Sequence, residues 1–469
     1  MKHFFNWPLI WDSVLKQVNM KSGVFILLLA LLAITPGCEK NKAAYDESLS
    51  FPYQPLRTSQ DLDSLMAQIG DAKIVLLGEA SHGTAEYYNW RATISKRLIE
   101  EKGFDMIAVE GEWADSYRVN QFIKGEPRDS LQAVALLRQY DRWPTWMWGN
   151  YEVASLVYWL NQHNQGRGAA DKVGFFGLDV YCLWESMQEL MPYIQGNDTL
   201  MQMARQVEQC FQPYSADPME YAYAVANASA NCRQQVQRLW QSVLSFTGGT
   251  TATSEREFVM QQNALVALNG ETYYRTAVSS YPGSWNVRDQ HMAQTVERLL
   301  QRHGPEAKII IWEHNTHVGD ARYTDMAAGG MVNVGQLVRE RFGEENVYIV
   351  GFGSYRGTVI AADEWGGRME TMRVPPAQRG SWEELLHRQS AEDKILFSNQ
   401  LQPYEHLMKT IGHRAIGVQY DPANERGNFV PSIIPLRYDA FIFFDETRAL
   451  RPLGTRAKNE PPDTYPSGY

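Results

Sequence analysis

The segment at residues 73–112 constrains the fold more than any other, because two uninterrupted apolar runs flank a stretch of helical length. Residues 74–77 and 106–109 have the composition of strands that are buried on both faces. Between them, Thr84 is a candidate N-cap and Gly103 a candidate C′ residue of one helix. The segment therefore predicts a βαβ unit whose two strands are parallel neighbours in one sheet.

An acidic residue follows each predicted strand closely, and a histidine also follows the first. Glu79 and His82 come after the first strand, and Glu110 comes after the second. The C-terminal ends of parallel strands meet at one edge, where open α/β sheets bind their ligands. Two carboxylates and a histidine converging at that edge favour a functional site over a purely structural one.

The rest of the chain repeats the strand pattern. Five more apolar runs have the length of strands, at residues 173–178, 308–312, 347–352, 416–419 and 441–444. The first ends on Asp179, and the second leads into His314 and His317. Residues 184–280 have helical character without a clear strand. Residues 51–453 therefore predict an α/β fold of three layers, in which a mostly parallel sheet has helices on both faces and a large helical insertion.

Three local features have a structural and a functional interpretation. Three tryptophans within residues 143–148 form either part of the core or one wall of a pocket. Asp179 either positions a histidine or caps the helix that follows it. Arg288 and Asp289 are predicted to form a structural ion pair or a helix start rather than a catalytic pair. Residues 56–69 are predicted to be the first helix of the domain.

The first 38 residues resemble a bacterial lipoprotein signal. An apolar run at residues 24–34 follows Met20 and Lys21 and precedes Cys38, which is the predicted lipidated residue. The run is too short for a comfortable transmembrane span, and Met20 is a possible true start. We therefore expect an exported lipoprotein, anchored to a membrane of the cell envelope, with residues 39–50 as a tether. The alternative is an N-terminal anchor that is never cleaved.

The composition argues against a nucleic-acid partner and against a disulfide framework. The chain has 469 residues and a net charge of −10 without a cluster of lysine and arginine, which argues against a nucleic-acid partner. After Cys38 only Cys182, Cys210 and Cys232 remain, so at most one disulfide can form among them and the fold cannot depend on a disulfide framework. Residues 454–469 are predicted to be a disordered tail.

The motifs leave three classes of function open. The sequence has no G-x-S-x-G elbow, no P-loop and no G-x-G-x-x-G after a strand. In one class, a histidine flanked by carboxylates activates a water against an ester or lactone. In another, His314-x-x-His317 and carboxylates hold a divalent metal that activates the water. The third is a surface lipoprotein that binds a ligand without turnover. No other cofactor is expected.

Several motifs resemble the erythromycin esterase family. They keep their order over about residues 50–453, and they are GEASHG at residues 78–83, Arg91, VEG at 109–111, PTWMW at 144–148, WNVRD at 285–289 and WEHNTHVGD at 312–320. The sequence departs from the family pattern at Glu313, where we expect a small residue. A carboxylate at this position is predicted to raise the pKa of a neighbouring histidine or to serve as a metal ligand.

The resemblance implies a carboxylic ester hydrolase that inactivates a macrolide, which would confer antibiotic resistance, by hydrolysing its lactone with a histidine-activated water. It assigns the base to His82 and its partner to Glu110. The other positions that match the family's site are Glu79, Arg91, His314 and His317. The implied partner is a small-molecule ester or lactone, and the resemblance itself requires no metal.

Overall fold

The computed structural model describes residues 49–215 and 217–454. The predicted signal segment with Cys38, the tether up to residue 48 and the tail after residue 454 lie outside these residues. Within them, no helix is long and apolar enough to cross a membrane.

The described residues form eleven β-strands. Their bounds are β1 Gln54–Pro55, β2 Ile74–Leu77, β3 Met106–Glu112, β4 Gly174–Asp179, β5 Ile309–Trp312, β6 Val347–Ala361, β7 Glu370–Val374, β8 Lys394–Phe397, β9 Ile411–Arg414, β10 Phe429–Ser432 and β11 Ala440–Thr447.

Sixteen α-helices connect the strands in the same part of the chain. Their bounds are α1 Asp63–Ile69, α2 Ala85–Lys102, α3 Trp113–Lys124, α4 Ser130–Leu137, α5 Tyr151–His163, α6 Leu183–Ile194, α7 Asp198–Phe211, α8 Pro218–Ala226, α9 Arg233–Phe246, α10 Glu255–Ala277, α11 Tyr281–His303, α12 Asn315–Val318, α13 Val334–Phe342, α14 Trp382–Gln389, α15 Ser398–Leu401 and α16 Ile434–Arg437.

The strands of the main sheet lie in the order β1-β8-β11-β6-β2-β5-β3-β4, and β7 pairs with the second half of β6. The six strands from β11 to β4 are parallel. Strands β1, β7 and β8 pair antiparallel to their neighbours, and β9 and β10 form a separate hairpin. The prediction of a mostly parallel sheet is confirmed.

Helices cover both faces of the sheet. In β2, Val75 and Leu77 pack into one apolar layer with Ile94 of α2. Ile74 and Leu76 point the other way, into the layer that contains helices α11 and α13. Burying aliphatic side chains of this size on both faces stabilises the sheet by ~1.5–3 kcal/mol per residue. The predicted three-layer architecture is therefore confirmed.

The helical insertion follows β4 and has an apolar cluster of its own. Helices α6 to α10 contribute to this cluster, which includes Phe211 and Tyr221. One disulfide joins Cys210 at the end of α7 to Cys232 at the start of α9, and Cys182 is a buried free thiol. The sequence prediction of at most one disulfide agrees with this arrangement.

The prediction that β2 and β3 are neighbours is wrong, because β5 lies between them. Leu77 of β2 and Val109 of β3 both pair with Trp312 of β5. All four residues of β5 are apolar and buried, as are those of β2 and residues 106–109 of β3, so all three strands can lie inside the sheet and the apolar pattern does not set their order. The loop that follows β5 consequently lies between the loops that follow β2 and β3.

Two further predictions need correction. Residues 416–419 are not a strand: Ile416 and Gln419 each make a single bridge, to Ser81 and Ala362 respectively. Their partners lie beyond the ends of β2 and β6, so no continuous ladder can form. The predicted helix at residues 56–69 begins later, with a short 3-10 turn at Ser59–Leu62 before α1.

We expect the disulfide to stabilise the helical insertion. Replacing both Cys210 and Cys232 by Ser removes a cross-link between residues 22 apart in sequence, and this should cost about 3 kcal/mol of unfolding free energy. Thermal and urea unfolding would measure the loss, and a reductant should lower the stability of the wild type but not of the double variant. Equal stability of the oxidised wild type and the variant would contradict the expectation.

Candidate active site

The loop after β2 holds an imidazole against a carboxylate. His82 Nδ1 lies 2.7 Å from Glu79 Oε1, and Arg91 Nη2 of α2 donates to Glu79 Oε2 at 2.6 Å. All three side chains are buried. Because Glu79 occupies Nδ1, the ring of His82 is oriented and its Nε2 is the nitrogen left for a ligand.

Two glycines of this loop permit close backbone approaches. A Cβ atom on Gly78 would lie 2.1 Å from Asn315 Oδ1, and one on Gly83 would lie 1.9 Å from the carbonyl oxygen of Ile360. The Asn315 amide also donates to the carbonyl of Glu79. The glycines on both sides of Glu79 and His82 therefore allow the loops after β2 and β5 and strand β6 to pack without a gap.

The loop after β5 brings His314 beside His82. The two rings are 4.9 Å apart between centroids and inclined by 43°, and the His314 amide donates to Glu110 Oε2 at 2.8 Å. Burial lowers the pKa of His314 well below its usual value, and the nearby His82 lowers it further. His314 is therefore a neutral imidazole that fixes Glu110 through its backbone.

Protein groups contact both ring nitrogens and one face of His317. Its Nδ1 lies 2.9 Å from Asp289 Oδ1, Arg288 Nη1 lies 2.7 Å from its Nε2, and the ring of Trp285 stacks on it at 4.5 Å. Both ring nitrogens are therefore occupied by protein groups. His314 and His317 do not combine into the metal site considered from the sequence, and no cluster of three potential ligands was found in the described residues.

Arg288 of α11 is the residue that the sequence interpretation misjudged. It makes a two-point contact with Asp179, at 2.9 and 2.6 Å, and also donates to Glu110 Oε1 at 2.8 Å. The predicted ion pair with Asp289 is wrong, because adjacent residues of a helix do not face each other and Asp289 binds His317 instead. A signal was present in the sequence: the buried carboxylates after β3 and β4 required a cation.

The charges in this cluster are mutually compensated. Burial raises the pKa of Glu110, but the nearby imidazole of His317, the guanidinium of Arg288 and the imidazole of His82 outweigh burial, so the pKa is lowered overall. Burial lowers the pKa of His82, but the hydrogen bond that its Nδ1 donates to Glu79 and the charge of Glu110 raise the pKa on balance. Glu110 is therefore a carboxylate, and His82 is a stronger base than a free imidazole.

Burial favours the neutral form of the Glu313 carboxyl. Burial raises the pKa of its carboxyl well above the usual value, and the charge of Glu110 raises it further. Neither carboxyl oxygen has a hydrogen-bond partner in the described part of the chain. The predicted charge effect on a neighbouring histidine is therefore not seen, because a protonated carboxyl adds no negative charge.

A cleft of about 740 Å³, measured with its opening to solvent, lies above these groups. His82, Glu110, Asp179 and Arg288 line it, whereas the other predicted site residues stand behind this lining: Glu79, Arg91, His314 and His317.

In the tryptophan-rich segment, some residues form a wall of the cleft and another is part of the core. Trp143 and Trp148 line the cleft, and Trp146 is buried beneath Trp143 at 5.6 Å between ring centroids. Sequence reasoning missed three charged lining residues, Glu112, Asp115 and Arg142. Glu112 lies two positions after Glu110, and its place at the end of a strand was the only signal available.

Comparison with known proteins identifies relatives of this chain. The model of the erythromycin esterase family matches residues 99–447. This match includes Glu110, Arg288 and both histidines of the β5 loop, and it begins after Glu79, His82 and Arg91. Erythromycin esterase type II of Escherichia coli is 22% identical over 351 residues, which cover 70% of this chain and 80% of that protein. A putative hydrolase of Bacillus subtilis, YbfO, is 23% identical over 399 residues, 77% of this chain and 84% of its own.

Solved structures show the same fold. A succinoglycan biosynthesis protein matches with a TM-score of 0.67 at 20% identity, covering 85% of this chain and 95% of its own. A mutant of the erythromycin esterase EreC in an open conformation matches with a TM-score of 0.63 at 15% identity, covering 87% and 99%. These relatives support hydrolase activity of the esterase type on a small molecule, and the extent of the family match shows that the chain belongs to the erythromycin esterase family.

Proposed function

We propose that the protein is a carboxylic ester hydrolase that cleaves an ester or lactone bond with a water activated by His82, and that macrolides are candidate substrates. The observation that carries the proposal is the position of His82. It lines the cleft, its Nδ1 is held by Glu79, and its Nε2 has no protein partner in the described residues. A base oriented in this way needs only a water and a carbonyl group above it.

The proposed reaction has two proton transfers at His82 Nε2. The nitrogen first takes a proton from water while the water oxygen attacks the carbonyl carbon, which gives a tetrahedral intermediate. The imidazolium then returns the proton to the leaving alkoxide as the carbon–oxygen bond breaks, so that an acid and an alcohol result. Glu79 and Glu110 stabilise the imidazolium between these steps, since both carboxylates raise the pKa of His82.

Arg288 is the proposed donor to the oxyanion. Its contacts to Asp179, Glu110 and His317 use four of its five N–H groups, which leaves one hydrogen on Nη1. Arg288 lines the cleft, so this N–H is available to a developing negative charge. Arg91, His314 and His317 act as positioning residues, because they hold Glu79, Glu110 and Arg288 respectively.

The proposed reaction uses no metal ion, although activity after prolonged chelation remains the direct test of this point. We also propose that the protein is exported and lipidated at Cys38, as the N-terminal sequence predicts. The disulfide between Cys210 and Cys232 supports an oxidising compartment.

Replacing His82 by Ala should abolish turnover. The expected loss is on the order of 10²–10⁴ in kcat, which is typical of removing a general base. The assay is hydrolysis of erythromycin, followed by mass spectrometry for the gain of one water, and then a panel of lactones and aryl esters. His387→Ala is the matched control, because His387 also pairs with a carboxylate, Asp445, but does not line the cleft. Full activity of the His82 variant would refute its role.

The pH dependence of kcat/KM should report the pKa of His82. Because the base must be unprotonated and its pKa is raised, the acidic limb of kcat/KM should have its midpoint above the ordinary imidazole value of 6.5. Glu79→Gln removes the charge and weakens the hydrogen bond, so the midpoint should move to lower pH while kcat falls. Glu306→Gln at the exposed far edge should change neither quantity. If the midpoint of the acidic limb does not move in the Glu79 variant, the limb reports the titration of a group other than His82.

Arg288 should contribute to both stability and rate. Arg288→Met leaves Glu110 and Asp179 buried without their cation, which should cost about 3–5 kcal/mol in urea unfolding. Arg288→Lys keeps the charge but loses the two-point contact with Asp179, so it should fold while kcat falls by about 10²-fold. Arg356→Met, which breaks an exposed pair with Glu446, should cost less than about 1 kcal/mol. Wild-type kcat in the Lys variant would exclude Arg288 from the reaction.

A further inference from the structure

Glu112 is a lining carboxyl that the proposed reaction does not use. It lies at the end of β3 and is only 8% exposed, yet it faces the cleft. Arg142 Nε approaches its Oε1 at 3.1 Å, whereas its Oε2 has no hydrogen-bond partner among the described residues. A buried carboxyl oxygen without a partner is costly unless a ligand satisfies it.

The described lining of the cleft carries more carboxyl groups than cations. Four carboxyl groups, on Glu110, Glu112, Asp115 and Asp179, face two guanidinium groups, on Arg142 and Arg288. Arg288 is already bound to Glu110 and Asp179. Arg142 is shared with Glu185 of the helical insertion, at 2.7 Å. Asp115 is bound by Arg118 of α3. Among the described lining residues, Glu112 therefore keeps a carboxyl oxygen without a partner, which a positive ligand can contact.

Aromatic rings surround the same space. Trp143, Trp148 and Trp365 line the cleft together with Tyr140. Trp143 and Trp365 pack at 4.7 Å between ring centroids. Rings of this kind attract a desolvated cation through their faces. An acidic group with aromatic walls is the combination that recognises ammonium ligands.

We propose that the cleft selects esters that carry a protonated or quaternary amine, with the Glu112 carboxylate as the partner of the ammonium group and the tryptophan rings as its walls. The inference rests on the proposed esterase function, because it assigns the substrate class of the same cleft. Glu112 acts in binding, and His82 acts in the reaction.

The protonation of Glu112 is consistent with this role. Burial raises its pKa to about 8; Arg142 opposes the rise, and Asp179, Glu185 and Asp115 add to it. Burial also raises the pKa of Asp115 to about 6. The raised pKa favours a proton on Glu112 near neutral pH, and binding of a permanent cation favours its release. Affinity for such a cation should rise as the pH approaches 8.

A pair of esters with one shape and different charge tests the inference. Phenylacetylcholine carries a quaternary ammonium group, and 3,3-dimethylbutyl phenylacetate replaces its nitrogen by carbon. Binding is measured by calorimetry on the His82→Ala variant, in which neither ester should turn over. We expect the cation to bind at least about tenfold more tightly than the neutral ester. Equal affinities would overturn the inference without any further variant.

Glu112→Gln, placed in the same His82→Ala background, assigns the selectivity to one residue. The amide oxygen can still accept from Arg142, so unfolding should remain close to that of the parent. The affinity ratio of the two esters should fall to within about threefold, and the proton released on cation binding at pH 7 should disappear. Glu306→Gln, the same change at the exposed far edge, should leave both quantities intact. An unchanged ratio in the Glu112 variant would overturn the inference.

Hydrolysis by the otherwise wild-type enzyme separates binding from chemistry. Glu112→Gln should lower kcat/KM for the choline ester at least about tenfold more than for the neutral ester, and the difference should lie in KM. An equal loss of kcat for both esters would make Glu112 a proton donor in the reaction and would overturn its binding role. Selective binding without any hydrolysis would support the amine preference and refute the proposed function, so the two failures are distinguishable.

Discussion

The interaction on which the site depends is the buried contact of Arg288 with Glu110, Asp179 and His317. It joins α11 to the ends of β3 and β4 and to the loop after β5. A buried charge is costly unless it is paired, so none of these groups can move away without leaving another uncompensated. The four elements are thereby held in one arrangement, and the floor of the cleft is fixed before a ligand arrives.

The groups around the cleft divide into those that face it and those that support them. His82 is the imidazole that lines the cleft, while His314 and His317 fix Glu110 and Arg288 from behind. The environment drives the pKa values of neighbouring imidazoles apart, because carboxylates raise that of His82 while burial lowers that of His314. Two adjacent residues of one chemical type thus differ in basicity.

The residues that determine the choice of substrate differ from those that hold Glu110 and Arg288 in place. Relatives at 22–23% identity share the family, but a fold does not determine what a member acts on. The outer wall of the cleft is built from Glu112, Arg142 and aromatic rings, and Glu185 of the helical insertion binds Arg142. The insertion therefore contacts the wall of the cleft through this ion pair, and also through Tyr181, which lines the cleft and packs against Tyr273 of α10.

The sequence by itself determined the strand ends and most of the predicted site, because apolar runs specify buried strands and the polar residue after each run must lie at the sheet edge. Glu79, His82 and Glu110 were found in this way, and Arg91 through the family motifs. Only the tertiary structure decided that β5 separates β2 from β3, since all three runs can be buried on both faces and the apolar pattern does not set their order. The same holds for Arg288: its partners are 109 and 178 residues away in the chain, so no local pattern could distinguish a central buried cation from an ordinary helix residue.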